Sequence, residues 1–337
     1  MDKHVPFMMR ALELARRGEG LTRPNPPVGA VLVQNGKIIS EGFHKKAGAD
    51  HAERACLKNL KSKAQSLKST TLYVSLEPCS TAGRTPPCTD LILERGIRRV
   101  VIGCKDPNPA HAGRGLRKLR RAGVEVIPGV CRAEAEALIA PFAKRMLTGM
   151  PTVTLKLGVT LDGRIADASG KSQWITGPQA RKKVQALRQR ADAILVGAGT
   201  VRADNPSLLP RPSKGRKPWR VIAGTNIPAT SKVLTDEAAE QTLLMEGSPK
   251  KILRELAKRD VMHVLCEGGG ELAGSLIRAG LVDEFVIFMA PSLLGGTGFP
   301  MVGKNGWTLK GLPRLSFQTL EKCGEDILIT AVPIKGD

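Results

Sequence analysis

Short apolar runs alternate with stretches of helical period along this whole chain, and the alternation breaks once, at Thr148-Gly149-Met150-Pro151. Strands that alternate with helices build layered α/β domains. A Gly and a Pro so close together end elements instead of continuing them. Two α/β domains are therefore expected, residues 1–147 and 151–337, in keeping with a 337-residue chain at roughly 100 to 200 residues per domain.

In the first half Met8, Leu12 and Ala15 recur at helical spacing, Val28–Val33 reads as a strand, and Asn35-Gly36 as a hairpin turn into Lys37–Phe43. A helix from His51 through Leu60, a strand at Thr71–Ser75, a helix at Cys88–Arg95, a strand at Arg99–Gly103, a helix at Leu116–Arg121, a strand at Val124–Ile127 and a helix at Arg132–Leu147 follow. The second half offers strands at 153–158, 193–196, 220–223, 243–245, 262–266, 284–289 and 327–332, with helices at 178–189, 249–258 and 271–279. Asp162-Gly163 reads as a hairpin turn, and the proline-rich, basic stretch Pro206–Pro218 as a surface loop.

No apolar run approaches the roughly 20 residues of a spanning helix, so no membrane partner is expected. The N-terminus intersperses charges among its apolar residues, unlike a signal peptide, which points to the cytosol. Seven cysteines, an odd number, read as reduced thiols or metal ligands and not as a disulfide framework. The formal net charge is +21, spread over both halves: 26 basic against 13 acidic side chains up to residue 150, and 26 against 18 beyond. Such a field attracts phosphate of any kind. With 3% aromatic residues there is little surface for stacking bases, so nucleic acid is a poor candidate partner.

His51-Ala52-Glu53 opens a predicted helix, and Pro78-Cys79 is followed after eight residues by Cys88. One imidazole and two thiolates give zinc three ligands and leave a fourth position for a water whose pKa the metal lowers to about 7. Glu53, two residues from His51, suits a carboxylate that moves protons without ligating the metal. HxE followed by PC and a second Cys is the pattern of zinc nucleobase deaminases, which usually place two residues between the cysteines. Taken singly, His51 is equally a helix-end histidine and Cys79 and Cys88 are small core residues. Together they read as a catalytic zinc site. Cys56, Cys104, Cys131, Cys266 and Cys323 are expected to be buried thiols. His44 is equally a pocket residue or a solvated hairpin residue.

The segments RPNPPVGAVLV (23–33), GFHKKAGADHAE (42–53), LEPCSTAGRTPPC (76–88) and DPNPAHAGRG (106–115) resemble the bifunctional deaminase/reductase of riboflavin biosynthesis. The resemblance implies a cytidine-deaminase-like αβα domain with a mixed sheet. It also implies that Asn25 and His44 contact the pyrimidine and that Arg84 reaches the substrate phosphate. Where that family carries His after PCS, this chain has Thr81.

In the second half the glycine-rich stretches VGAGT (196–200) and EGGGELAGS (267–275) follow predicted strands, although the usual G-x-G-x-x-G is absent. Such junctions suit a pyrophosphate at a helix N-terminus; alone they are equally turn glycines. The resemblance extends through TLKLGVTLDGRIA (154–166), SQWITG (172–177), ADAILVGAGTVRADNPSLLPR (191–211) and LVDEFVIFMAPSLLGG (281–296) to the reductase half of the same enzyme. It implies a dihydrofolate-reductase-like α/β domain that uses NADPH. Gly158, Trp174, Thr200, Asp204 and the run Gly269, Gly270, Glu271, Leu272, Ala273, Gly274, Ser275 would meet the cofactor. Lys156, Ser172, Arg188, Leu208, Arg211 and Glu267 would meet the sugar phosphate. The strand near Val221 ends in Ala223-Gly224 where that family has an aliphatic-Asp pair, and the segment from there to Glu267 is short. By composition alone, Trp174 is equally a core aromatic.

The resulting expectation is a homo-oligomeric enzyme with Zn2+ and NADPH, acting on 2,5-diamino-6-(5-phosphoribosylamino)pyrimidin-4(3H)-one first by hydrolytic deamination and then by reduction of the ribosyl arm to ribityl phosphate. Three alternatives stand beside it: a reductase whose deaminase is impaired by Thr81, a basic nucleic-acid-editing deaminase, and a non-enzymatic basic binding protein built on the zinc fold.

Overall fold

Asn35 and Gly36 adopt positive φ angles of 49° and 71°, the pair of left-handed residues a two-residue hairpin turn requires. The strands they join pair antiparallel outward from Gln34 and Lys37. This hairpin edges the first of two units, Met1–Gly149 and Met150–Asp337. The computed structural model describes residues 2–60, 66–82, 86–212, 216–303 and 306–334.

The first unit runs α1 (Val5–Arg16), β1 (Gly29–Gln34), β2 (Lys37–Phe43), α2 (Ala52–Lys58), β3 (Thr70–Leu76), α3 (Cys88–Glu94), β4 (Arg99–Cys104), α4 (Arg114–Arg121), β5 (Glu125–Pro128), α5 (Arg132–Leu138) and α6 (Ala140–Thr148). Its sheet has the order β2-β1-β3-β4-β5, antiparallel at β2/β1 and β1/β3 and parallel at β3/β4 and β4/β5. Side chains alternate across a strand, and β1 shows how this makes three layers. Ala30 and Leu32 pack with α2, α3 and α4, while Val31 and Val33 pack with α1 and α5. At Gly42 a Cβ would lie 2.2 Å from the Cys56 amide nitrogen, so only glycine lets α2 rest this closely on β2. The single helix expected over Arg132–Leu147 is instead two, parted at Ile139. Pro141 is tolerated in the first turn of α6 but would break a continuous helix.

The second unit runs β6 (Thr152–Thr160), β7 (Arg164–Ala166), α7 (Pro178–Arg190), β8 (Ala193–Gly197), α8 (Ala198–Asp204), β9 (Trp219–Ala223), α9 (Lys232–Thr235), β10 (Thr242–Met245), α10 (Pro249–Lys258), β11 (His263–Cys266), α11 (Gly270–Arg278), β12 (Glu284–Ala290), β13 (Phe299–Pro300), β14 (Leu315–Cys323) and β15 (Asp326–Pro333). The large sheet, β10-β9-β8-β11-β6-β12-β15-β14, is parallel from β10 to β12 and antiparallel at its last two strands. One face buries Leu155, Leu195 and Val264 against α10 and α11; the other buries Ile194, Val196 and Ile222 with α8 and α9. The carboxyl ends of β6, β8 and β11 lie side by side, where open α/β sheets bind ligands. No helix among the described residues is long and apolar enough to cross a membrane.

Candidate functional site

In the first unit, His51 is the N-cap of α2, Cys79 follows the end of β3, and Cys88 opens α3. His51 Nδ1 lies 3.5 Å from Cys79 Sγ and 3.4 Å from Cys88 Sγ. A tetrahedral zinc with its usual bond lengths sets nitrogen and sulfur roughly 3.6 Å apart, so these donors fit the ion. They are the one such cluster among the described residues. The Cys88 amide also donates to Cys79 Sγ at 3.3 Å. The hydrogen bond from the Cys88 thiol holds Cys79 down at about 4 against burial, with His51 adding to the effect. Cys88 itself is pushed up by Cys79 and by burial. Two sulfurs thus share one proton, which a divalent cation displaces.

Glu53 is 4% exposed in the first turn of α2. Burial, and after it the Cys79 thiolate, push its carboxyl up to about 7, suited to taking and giving a proton near neutrality. Behind it, His44 is buried and its ring meets that of His51 edge-on at 5.5 Å. Desolvation lowers the His44 pKa and keeps it neutral. Its Nδ1 then donates to the Asp50 carbonyl at 2.9 Å, and its Nε2 accepts from Asn25 Nδ2 at 3.1 Å. The structure therefore joins Asn25 and His44 and places His44 against the metal cluster. Arg84 lies outside the described residues.

Two residues before Cys79, the buried Glu77 is a brace that the sequence does not announce. Its carboxylate accepts from the amides of Asp106, Gly113, Gly115 and Leu116 at 3.2, 2.9, 2.8 and 3.4 Å. It thereby ties the loop after β4 to the loop carrying Cys79. Across these loops Thr81 Oγ1 and His111 Nδ1 stand 3.5 Å apart.

Cys56, Cys104 and Cys266 are pushed up to about 12 by burial and are inert thiols, and Cys323 is buried too. Cys131 departs from expectation: it is only partly buried, at the left-handed N-cap of α5.

In the second unit, Lys156 on β6, Arg188 on α7 and Glu267 after β11 form one cluster. Arg188 holds Glu267 at 2.6 and 3.1 Å, and Lys156 Nζ reaches the same carboxylate at 3.4 Å. Burial alone would raise Glu267, but Arg188 and then Lys156 outweigh it and hold the carboxyl at about 2. Two cations against one carboxylate leave a positive surplus, which suits a phosphate. Ser172 Oγ donates to both Asp204 oxygens at 2.8 and 2.9 Å, linking a residue expected on the substrate to one expected on the cofactor.

Glycine-rich segments meet at the carboxyl ends of β8 and β11. A Cβ on Gly269 would lie 3.7 Å from Thr200 Oγ1, and one on Gly270 would collide with the Pro300 carbonyl at 2.4 Å. Within Gly269–Ser275, Gly270, Ala273 and Gly274 are buried and Leu272 packs on the core, so the part-buried Gly269 and the exposed Glu271 are what the first turn turns outward. Ser275 Oγ bonds back to the Glu271 carbonyl. Gly158 faces Thr176, and Arg211 is exposed. Leu208 is 2% exposed with φ of 62°, a left-handed residue whose side chain packs into the core with α8 and α9. Trp174 is no core aromatic: it is 67% exposed, with the Arg181 guanidinium 4.6 Å from its ring centre. Asp162-Gly163 is a turn, with Gly163 at φ of 73°, and Asp162 also accepts from the amides of Leu294 and Gly295.

Known families match both units: the cytidine and deoxycytidylate deaminase zinc-binding region over residues 1–104 and the RibD C-terminal domain over residues 151–329. The riboflavin biosynthesis protein RibD of Bacillus amyloliquefaciens is 42% identical over 360 residues, covering 98% of this chain and 96% of that one. The Escherichia coli protein of the same name is 40% identical, covering 97% and 98%. A Thermotoga maritima crystal structure superposes with a TM-score of 0.92 at 38% identity, covering 98% of this chain and 99% of that one. It is described as a diaminohydroxyphosphoribosylaminopyrimidine deaminase/5-amino-6-(5-phosphoribosylamino)uracil reductase. RibD from Acinetobacter baumannii gives a TM-score of 0.89 at 37% identity, covering 99% of each chain. Because the likeness runs unbroken through both units, the chain belongs to the RibD family, the bifunctional enzymes of riboflavin biosynthesis that join a zinc-dependent deaminase to an NADPH-dependent reductase.

Proposed function

We propose that residues 1–147 deaminate 2,5-diamino-6-(5-phosphoribosylamino)pyrimidin-4(3H)-one at its 2-amino carbon and that residues 151–337 reduce the ribosyl arm of the product to ribityl phosphate. The observation that carries the reading is a buried carboxylate, Glu53, beside a nitrogen and two sulfurs spaced for zinc. His51, Cys79 and Cys88 hold the ion, which when bound lowers the pKa of a water to about 7. The Glu53 carboxylate takes a proton and returns it to the departing ammonia, as general base and then general acid. Asn25 and neutral His44 hold the pyrimidine, and Arg84 takes the phosphate.

In the second unit the group to be held is NADPH, which when bound would supply a hydride for the first carbon of the opened ribosyl chain. The amides at Gly269 and Gly270, with Thr200, Asp204, Gly158 and Trp174, hold the cofactor. The remainder of the run, Glu271 to Ser275, supports that turn. Lys156 and Arg188, with charge left over from Glu267, face the substrate phosphate together with Ser172, Arg211 and Leu208. We also propose a cytosolic homo-oligomer. Exposed Phe317 and Leu320 on the edge strand β14, at 64% each, support self-association.

The test is the product of the purified chain with zinc and substrate. Ammonia is expected with or without NADPH, and the ribityl compound only with it. Ammonia release that requires NADPH, or none at all, overturns the reading.

A further inference from the structure

We infer that His111 is a substrate-positioning residue of the deaminase site, its imidazole oriented by Thr81 and meeting the phosphorylated arm of the pyrimidine at the rim. The inference rests on the deaminase reading above and deepens it.

The placement follows from the Glu77 brace. Its carboxylate takes the amides of Asp106 and Gly113, which flank His111, and lies two residues before the ligand Cys79. The backbone carrying His111 is thus fixed against the backbone carrying the metal ligand. Thr81 Oγ1, 3.5 Å from His111 Nδ1, engages one ring nitrogen, and among the described residues no side chain hydrogen-bonds to Nε2. His111 is absent from both the metal cluster and the Asn25–His44 pair, so neither of those roles accounts for it.

Burial decides which end of the substrate it meets. Glu53 and His44 are buried, at 4% and 2% exposure, whereas Thr81 is exposed and His111 is half-buried. A ring whose amino-bearing carbon must come to Glu53 leaves its phosphoribosyl arm at the rim. The charge there agrees: an Arg117 guanidinium nitrogen lies 3.0 Å from where a Cβ on Gly113 would sit, folded back over the loop that carries His111. Thr81 also stands where the resemblance leads one to expect histidine. An imidazole 30 positions away in sequence now faces that place.

The experiment uses the full-length zinc protein with His111→Ala and His111→Gln. A lost hydrogen bond to a charged group predicts a fall of roughly 10-fold or more in kcat/KM for ammonia release, carried by KM. The loss should vanish with the dephosphorylated nucleoside. Adding Thr81→His to His111→Ala should restore most of it, which a merely structural role for His111 would not allow. Zinc content and NADPH oxidation on the deaminated substrate should stay at wild-type levels. In a Glu53→Gln background, slowed enough for binding to be read before turnover, His111→Ala should weaken equilibrium binding of the phosphorylated substrate by the same factor. Unchanged kinetics, equal losses on the phosphorylated and dephosphorylated compounds, or no recovery with Thr81→His overturns the inference. Absence of ammonia release from the wild-type chain overturns the deaminase reading instead, and the binding measurement then still decides the role of His111.

Discussion

Two buried glutamates serve the two units and titrate in opposite directions. Beside Glu53 the Cys79 thiolate outweighs the His51 ring, and with burial its carboxyl rises to about 7; Glu267 sits between Arg188 and Lys156 and falls to about 2. Burial favours the neutral acid in both, so the neighbours alone separate them. A proton carrier needs a partner that does not hold its charge, whereas a scaffold carboxylate needs partners that do. The contrast gives each unit's carboxylate its own role. On the proposed function it is an agent of the chemistry in the first unit, and in the second it holds two cations for a ligand.

The sharpest attack on this contrast is Glu53→Gln, expected to slow ammonia release by roughly 10²–10⁴ while zinc and the reductase activity are retained. Metal analysis decides it: loss of zinc would make Glu53 a ligand and end the comparison. Next, Glu267→Gln strands two part-buried cations and should destabilise the second unit by about 3 kcal/mol, read from its urea unfolding midpoint near neutral pH. The same carboxylate predicts an acid dependence. Its folded pKa of about 2 lies below the ordinary 4.5, so its contribution is complete above 4.5 and drains away as pH falls towards 2. The urea midpoint of the wild type should therefore fall as pH is lowered through that window, and Glu267→Gln should lack this component. Smaller again, Trp174→Ala should raise KM for NADPH about 10-fold and leave ammonia release alone, as expected for one lost aromatic contact. Ser172→Ala should cost about 1 kcal/mol of reductase substrate binding, seen as a severalfold rise in KM.

What the sequence revealed depended on whether the information was local. The Asn35-Gly36 hairpin and the HAE and PC motifs are each carried by adjacent residues, and the structure brings the ligand atoms of His51, Cys79 and Cys88 within 4.8 Å of one another. Parallel core strands such as β8 and β12 were legible because they are short, continuous apolar runs. β14 was not, because it is an edge strand whose residues are almost all exposed, so burial left no pattern in it. The helix α8 was hidden inside what read as a glycine turn, since Ala-Gly-Thr offers little helical signal. Glu77 and His111 were invisible for a different reason. Their roles come from neighbouring parallel strands, β3 and β4, that deliver distant loops to one edge of the sheet. Trp174 showed no sign of its exposure, because one aromatic has no periodicity.

The four amides gathered on Glu77 have a consequence for how such a site can vary. With both loops anchored to one carboxylate, the space between them keeps its shape whichever loop supplies the side chain that fills it. A functional group can thus change its address in the chain while keeping its address in space, and position-by-position comparison would record a loss where only a relocation occurred.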